Sequence, residues 1–340
     1  MSVGWLFTPK GRFSMTQIGG FIAPTKRPGE VGVHSLNHFS LQVPDMAVAQ
    51  DFYKSFGLNL SAKGNQLSLR TYGSAHEWAV LTEGPHKQLQ YISFGAFEED
   101  FEGLRERLQR LGVTRLDPPP GFDSAGVWFR DPDGTLVEIK VSEKTSPHQK
   151  SSFAMPSVPG GCRGVSGRGA ATQVRPRRLS HVLMFTKDVD RAVHFYHQVV
   201  GLRLSDRSGD GIAFMHGIHG SDHHLLAFGK SSGGGFHHCS WDVGSTNEVG
   251  QGAMQMADKG FKAGWGLGRH VLGSNYFHYV RDPWGSYCEY SSDIDYIPCG
   301  CDWDAGDNPP EDAIYLWGPE MPQDFTVNYE LVETRTPVSV

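Results

Sequence analysis

The chain repeats itself, and this limits its architecture more than any other feature. Leu36–Val43 (LNHFSLQV) and Leu179–Thr186 (LSHVLMFT) both alternate apolar and polar residues, the pattern of a half-buried strand. An amphipathic stretch opening on an acidic residue follows each: Asp45–Tyr53 before Gly57-Leu58, and Asp188–Tyr196 before Gly201-Leu202. Asp45 and Asp188 suit helix N-caps, where a carboxylate accepts first-turn amides, and the two glycines suit the left-handed position after a helix. The halves also end alike. Asp131–Glu138 (DPDGTLVE) matches Asp282–Glu289 (DPWGSYCE), each a tight turn feeding a strand. Between start and end, each half holds a second strand–helix unit. One is Leu89–Phe94 with a helix over 98–111, and the other is Phe236–Trp241 with a helix over 248–259.

This pattern predicts an α+β fold of two domains, with two strand–helix–strands units in each. A length of 340 residues agrees, at roughly 100–200 residues per domain. The expected boundaries are an N-terminal extension over 1–33, a first domain over 34–142 and a second over 178–293. The segment 143–177 is rich in Ser, Pro, Gly and Arg without hydrophobic periodicity, and reads as a linker or surface loop. The tail over 294–340 carries enough aromatic residues to predict packing on the body. A formal charge of -6 gives no reason to expect nucleic acid or an acidic membrane surface as a partner. No apolar run approaches the ~18–20 residues of a membrane span, and the first residues lack the order of a signal peptide. Five cysteines at irregular spacings argue against a disulfide framework and for a reducing cytoplasm. With no second cysteine pair, Cys299-Gly-Cys301 reads as two loop thiols.

The halves differ where chemistry would sit. Their alignment pairs His38 with His181, Tyr91 with His238, and Glu138 with Glu289. Two histidines and one carboxylate, with free positions opposite, are the facial triad of non-haem Fe(II) oxygenases. A neutral phenol in place of one imidazole weakens such a set, so one metal site is expected, in the second half, on His181, His238 and Glu289. A lone glutamate among apolar strand residues needs a partner if buried. Each histidine taken singly is better explained as a hydrogen-bonded core or surface residue; the coincidence of all three ligand candidates at repeat-equivalent positions favours a site. His224, His270 and Tyr279 are three further candidates. The pairs His223/His224 and His237/His238 leave the register open by one, and strand alternation favours the second member of each. His219, His223, His237 and His278 are read as structural or exposed.

With these residues in place, the sequence resembles the vicinal oxygen chelate superfamily. More narrowly, it is similar to the type I extradiol ring-cleavage dioxygenases, the catechol 2,3-dioxygenase and 2,3-dihydroxybiphenyl 1,2-dioxygenase group. The resemblance spans about residues 34–292. Its sharpest parts are Phe236–Val243 (FHHCSWDV), Arg269–Gly273 (RHVLG) and Tyr279–Glu289 (YVRDPWGSYCE). It implies two domains of paired βαβββ modules, each domain a funnel-like curved sheet, with Fe(II) on His181, His238 and Glu289 in the second alone. It also implies that His224 is the acid–base residue beside dioxygen, and that His270 and Tyr279 hydrogen-bond the oxygens of a catechol-type substrate. A homo-oligomer is expected. The linker is longer than the family usually has.

The rivals share the fold. A 4-hydroxyphenylpyruvate dioxygenase-like reaction would use the same three ligands, but the His224 and Tyr279 positions favour ring cleavage. Glyoxalase-like lyases and thiol transferases recruit ligands from paired modules, which Tyr91 disfavours. A metal-free small-molecule binding protein would explain the repeat but not the triad.

Overall fold

Strand β1 (Val33–Val43) is the centre of the first half, and its apolar residues explain why: all but one of its residues are buried. The computed structural model describes residues 25–331, apart from 123, 124, 156 and 166. Most of the N-terminal extension and the end of the tail therefore lie outside the described residues. After β1 come α1 (Met46–Ser55), β2 (Asn59–Lys63), β3 (Gln66–Arg70), β4 (Ala79–Glu83), β5 (Gln88–Ala96), α2 (Glu98–Arg110), β6 (Val127–Arg130) and β7 (Leu136–Val141). The seven strands form one mixed sheet in the order β2-β3-β4-β1-β5-β7-β6.

The second half repeats this plan with β8 (Arg178–Thr186), α3 (Val189–Phe195), β9 (Leu202–Ser208), β10 (Ile212–Gly217), β11 (Ser221–Asp222), β12 (Leu226–Lys230), β13 (Gly235–Asp242), α4 (Thr246–Asp258), β14 (Gly264–His270), β15 (Tyr276–Arg281) and β16 (Tyr287–Ser292). The tail adds β17 (Tyr296–Ile297), β18 (Gly306–Asp307), α5 (Pro310–Ala313) and β19 (Tyr315–Trp317). The sheet order is β18-β9-β10-β12-β8-β13-β16-β15-β14-β19, so the run from β9 to β15 matches the first sheet, β14 extends it and the tail supplies both edges. The repeat is less complete in the first half. There the unit after α2 shows two strands, and the position of the third is marked by a single bridge from Leu116 to Trp128. Pro118, Pro119 and Pro120 follow directly, and residues without an N–H cannot extend a ladder.

The predicted helix ends have physical causes. The Asp45 carboxylate accepts from the amides of Ala47 and Val48, and that of Asp188 from Arg191. Gly57 ends the first helix at φ +100°, and a Cβ there would stand 2.2 Å from the Val174 carbonyl oxygen, so the linker passes too close for a side chain. One hydrophobic core runs through both halves. Phe56 stacks on Tyr290 at 3.8 Å between ring centroids, and the Tyr290 hydroxyl donates to the Phe56 carbonyl at 2.8 Å. Among the described residues, no helix is long and apolar enough to cross a membrane.

The tail is tied to the first half by a buried ion pair. Lys87 Nζ lies 2.9 Å from Glu330 Oε1, with side-chain exposures of 4% and 9%. Lys87 also donates to the Phe236 carbonyl and to Ser286 Oγ, while Glu330 accepts from the amides of Leu89 and Phe236. Removing one partner of such a pair strands the other charge. Glu330→Ala is therefore expected to cost about 3–5 kcal/mol in chemical denaturation. The double exchange Lys87→Met with Glu330→Leu should recover most of that loss. A midpoint unchanged in Glu330→Ala would show that the tail is not clamped there.

Candidate metal centre and active site

Three neighbouring strands of the second sheet bring His181, His238 and Glu289 together. On β8 His181 is paired with Ser240 of β13, and Ser240 is paired in turn with Glu289 of β16. His238 stands two residues before Ser240 on the central strand. All three are buried, and one ligand atom from each lies within 4.8 Å of the others. Glu289 Oε2 is 3.3 Å from His181 Nε2 and 3.8 Å from His238 Nε2. Neither Glu289 Oε2 nor His238 Nε2 has a hydrogen-bond partner. A buried carboxylate oxygen facing two imidazole nitrogens without a shared hydrogen is costly, and a divalent cation between them would remove the cost. Two imidazole nitrogens and one carboxylate oxygen suit a first-row divalent ion such as iron or manganese. The residues present fit the group.

The surroundings orient these ligands. Ser180 Oγ donates to Asp222 at 2.9 Å, which leaves its lone pair for His181 Nδ1–H at 3.2 Å. Asp222 is itself held by Arg178 at 2.6 Å. Asn275 Nδ2 donates to Glu289 Oε1 at 3.1 Å and to Ser291 Oγ at 3.0 Å. Nothing in the sequence singled out Asn275. Its role follows from a turn that places residue 275 beside β16, which no periodicity reveals.

The equivalent residues in the first half have hydrogen-bond partners of their own. Asn37 Oδ1 accepts from His38 Nδ1, so His38 Nε2 accepts from the Tyr91 hydroxyl at 2.9 Å. Ser93 Oγ donates to Glu138 at 2.5 Å. Burial pushes His38 down to about 3 and raises the Tyr91 phenol, so both stay neutral. Among the described residues, the only three His, Cys, Asp or Glu side chains with ligand atoms this close are those of the second half. Cys299 and Cys301 join no such group.

His224 does not lie within a strand, as the alternation argument assumed. It sits in the bend between β11 and β12, where alternation does not apply. Its ring centroid is 4.0 Å from that of His181. His223, read from sequence as structural or exposed, is buried behind it. His223 Nε2–H donates to Asp206 at 2.8 Å, leaving Nδ1 to accept from His224 Nδ1–H at 3.0 Å. The lone pair of His224 Nε2 is thus left free. Burial, with His181 and His223 adding, holds His224 well below the usual imidazole value and so in its basic form. The other two candidates meet directly. His270 Nδ1–H donates to the Ile314 carbonyl at 2.6 Å, and His270 Nε2 lies 3.0 Å from the Tyr279 hydroxyl. Burial, then the nearby Glu289, raise the Tyr279 phenol well above its ordinary value, so it keeps its hydrogen.

Alternation fails at His237 and His238 too, because β13 has a register irregularity between Phe236 and His238. Both histidines line the same cavity. It is His238 that the Glu289 carboxylate approaches, while His237 turns toward Phe325 of the tail. His219 is buried elsewhere, 3.0 Å from Asp100, and His278 is half-buried on β15. The cavity holds about 340 Å³. His181, His224, His238, His270 and Tyr279 line its floor, and Leu183, Phe185, Phe214, Leu272, Ile314 and Phe325 its walls. The charged residues on its lining are Asp210 and Lys230, which pair with each other.

The sequence matches the Glyoxalase/Bleomycin resistance protein/Dioxygenase superfamily over residues 35–139 and 178–290. Metapyrocatechase 2 of Cupriavidus necator is 54% identical over 309 residues, which cover 91% of this chain and 96% of that protein. A manganese-dependent 2,3-dihydroxybiphenyl 1,2-dioxygenase of Geobacillus genomosp. 3 is 22% identical, covering 85% of this chain and 95% of its own. The room-temperature structure of an extradiol ring-cleaving dioxygenase from B. fuscum superposes with a TM-score of 0.69 at 21% identity, over 88% of this chain and 84% of the other. That last likeness is one of fold. The two matched segments together span more than half the chain and coincide with its two sheets, and the chain belongs to the Glyoxalase/Bleomycin resistance protein/Dioxygenase superfamily.

Proposed function

We propose that the protein is an Fe(II)-dependent extradiol dioxygenase that opens the ring of a catechol with dioxygen, in the meta-cleavage manner. The carrying observation is the pair of orphaned buried atoms, His238 Nε2 and Glu289 Oε2, beside a neutral His224 whose Nε2 is free. The 54% identity to a metapyrocatechase over most of both chains supports the reading. His181, His238 and Glu289 would hold the metal. When bound, it supplies a Lewis acid that acidifies the two hydroxyls, and an electron path between ring and dioxygen.

The rest is the work of this chain's own side chains. His224 Nε2 accepts a hydroxyl proton from the substrate and later returns it. The carboxylate of Asp206, acting through His223, stabilises the cation that exists in between. Tyr279 keeps its hydrogen, which His270 Nε2 accepts until a substrate enters; a substrate oxygen would then take that hydrogen bond and free His270 Nε2 as an acceptor beside it. The apolar walls exclude water and face the ring. Because the two charges on the lining neutralise each other, the substituent that fits is uncharged, an alkyl or aryl group in place of a carboxylate. Four catechols offered side by side (unsubstituted, methyl-, phenyl- and carboxymethyl-bearing) test this, with the carboxymethyl compound expected to have the lowest kcat/KM.

Metal stoichiometry tests the centre. Protein prepared anaerobically should carry one iron per chain, and His38→Ala and Glu138→Ala should leave that figure unchanged. Two metals per chain, or zinc without iron, would overturn it. The manganese-dependent relative makes manganese the alternative, so activity restored by Mn(II) and not by Fe(II) would change the metal and keep the site. We place the enzyme in the cytoplasm, on the support of buried free thiols Cys239 and Cys288, whose sulfurs lie 3.7 Å apart in a hydrogen bond. We also read it as a homo-oligomer, on the support of edge strand β19, where Leu316 and Trp317 are exposed; light scattering would show this.

A further inference from the structure

We propose that His237 is a positioning residue for the metal ligand His238, and that it acts as a relay from the main-chain carbonyl of Phe325 in the C-terminal tail. The inference rests on the reading of His181, His238 and Glu289 as a metal centre. Its starting point is a contact between two nitrogens: His237 Nδ1 lies 2.6 Å from His238 Nδ1. One hydrogen must stand between them, and either ring could own it. The other end of His237 decides. Its Nε2 lies 2.7 Å from the Phe325 carbonyl oxygen, which can only accept. The single hydrogen of a neutral His237 is therefore on Nε2, and its Nδ1 is bare. His238 must then carry its hydrogen on Nδ1, which leaves the Nε2 lone pair facing Glu289 Oε2. In the opposite arrangement, His238 would carry hydrogen on the very atom needed to coordinate.

The same device stands behind His224, with a different terminus. There the chain of rings ends on the Asp206 carboxylate, which stabilises an added proton. Here it ends on a carbonyl, which has no charge to offer and fixes the hydrogen without inviting another. One histidine pair suits proton transfer and the other suits a ligand that stays neutral. Both rings of this second pair are buried, so water does not substitute for the acceptor. Outer partners of this kind are typically worth ~10–100-fold in metal affinity.

Two measurements on the full-length chain test the relay. First, nitrogen NMR of the metal-free protein labelled in its histidine rings should find His237 with hydrogen on Nε2 and His238 with hydrogen on Nδ1. Hydrogen on Nδ1 of His237 would overturn the proposal. Second, chelator competition with Fe(II), and with Mn(II) as a second probe, should show His237→Phe binding about 10–100-fold more weakly than the wild type. His237→Asn keeps an acceptor oxygen near the place of Nδ1 and should bind close to the wild type. If it binds as weakly as His237→Phe, or if His237→Phe binds normally, His237 only fills space and the proposal fails. Phe325→Leu retains the carbonyl and should change substrate KM while leaving metal affinity alone. A wild-type protein that takes up neither metal would overturn the centre itself, and the tautomers read in the first measurement would still decide the relay.

Discussion

Alanine at His181, His238 or Glu289 is expected to abolish ring cleavage and to bring bound metal to background, one substitution at a time. Each removes one of three donors, and two donors within a rigid sheet leave too little to hold a divalent ion against buffer and chelator. The fold should survive, because the core of both halves is built from other residues. Glu289→Ala is the most telling of the three. In metal-free protein it removes a buried oxygen, Oε2, that has no hydrogen-bond partner, and this gain offsets the lost bond from Asn275 to Oε1, so its unfolding midpoint should stay close to that of the wild type. Added Fe(II) should raise the wild-type midpoint and leave the variant where it was, because an ion that binds only the folded state stabilises it by mass action. Metal analysis, thermal unfolding with and without Fe(II), and turnover together check this. A variant that keeps its full metal content would remove that residue from the centre.

His224→Phe is expected to keep the metal and lose turnover. The substitution retains a flat ring against His181 and Phe214 and removes the nitrogen at the position of Nε2. General acid–base catalysis typically contributes ~10²–10⁴-fold, and kcat should fall by about that factor with substrate affinity little changed. A single-turnover experiment, followed optically in protein of known metal content, measures this. Loss of the metal would make His224 a ligand, and unaltered turnover would make it a structural residue. Asp206→Asn should give a milder version of the same defect, since Asn still accepts from His223 but offers no charge to a protonated ring.

Much of this arrangement is legible in the sequence, because the chain carries an internal control. A histidine on a strand means little alone, but His181, His238 and Glu289 stand at places where the other half has His38, Tyr91 and Glu138. The helix ends are legible for a local reason: Asp45 and Asp188 cap with their own side chains, and Gly57 and Gly201 take the left-handed conformation. What is not legible depends on contacts across the chain. Alternation fails as a guide at 223/224, which is a bend, and at 237/238, where β13 slips in register. Asn275, Asp206 and the carbonyls of Ile314 and Phe325 reach the site only through the tertiary fold, and a main-chain carbonyl leaves no mark on residue type. The tail was expected to pack on the body; that it walls the cavity and completes two edges of the sheet has no counterpart in its composition.

Lys87 belongs to the half without the ligand set, yet its ammonium holds the segment that roofs the cavity of the other half. The two halves thus work as one structural unit. A recombined gene that joined the second half to a foreign first half lacking a cation at this place would keep every candidate ligand. It would lose the anchor of the roof, and with it the shape that selects a substrate. The half that carries no triad thus has a structural task at the site without any chemistry of its own.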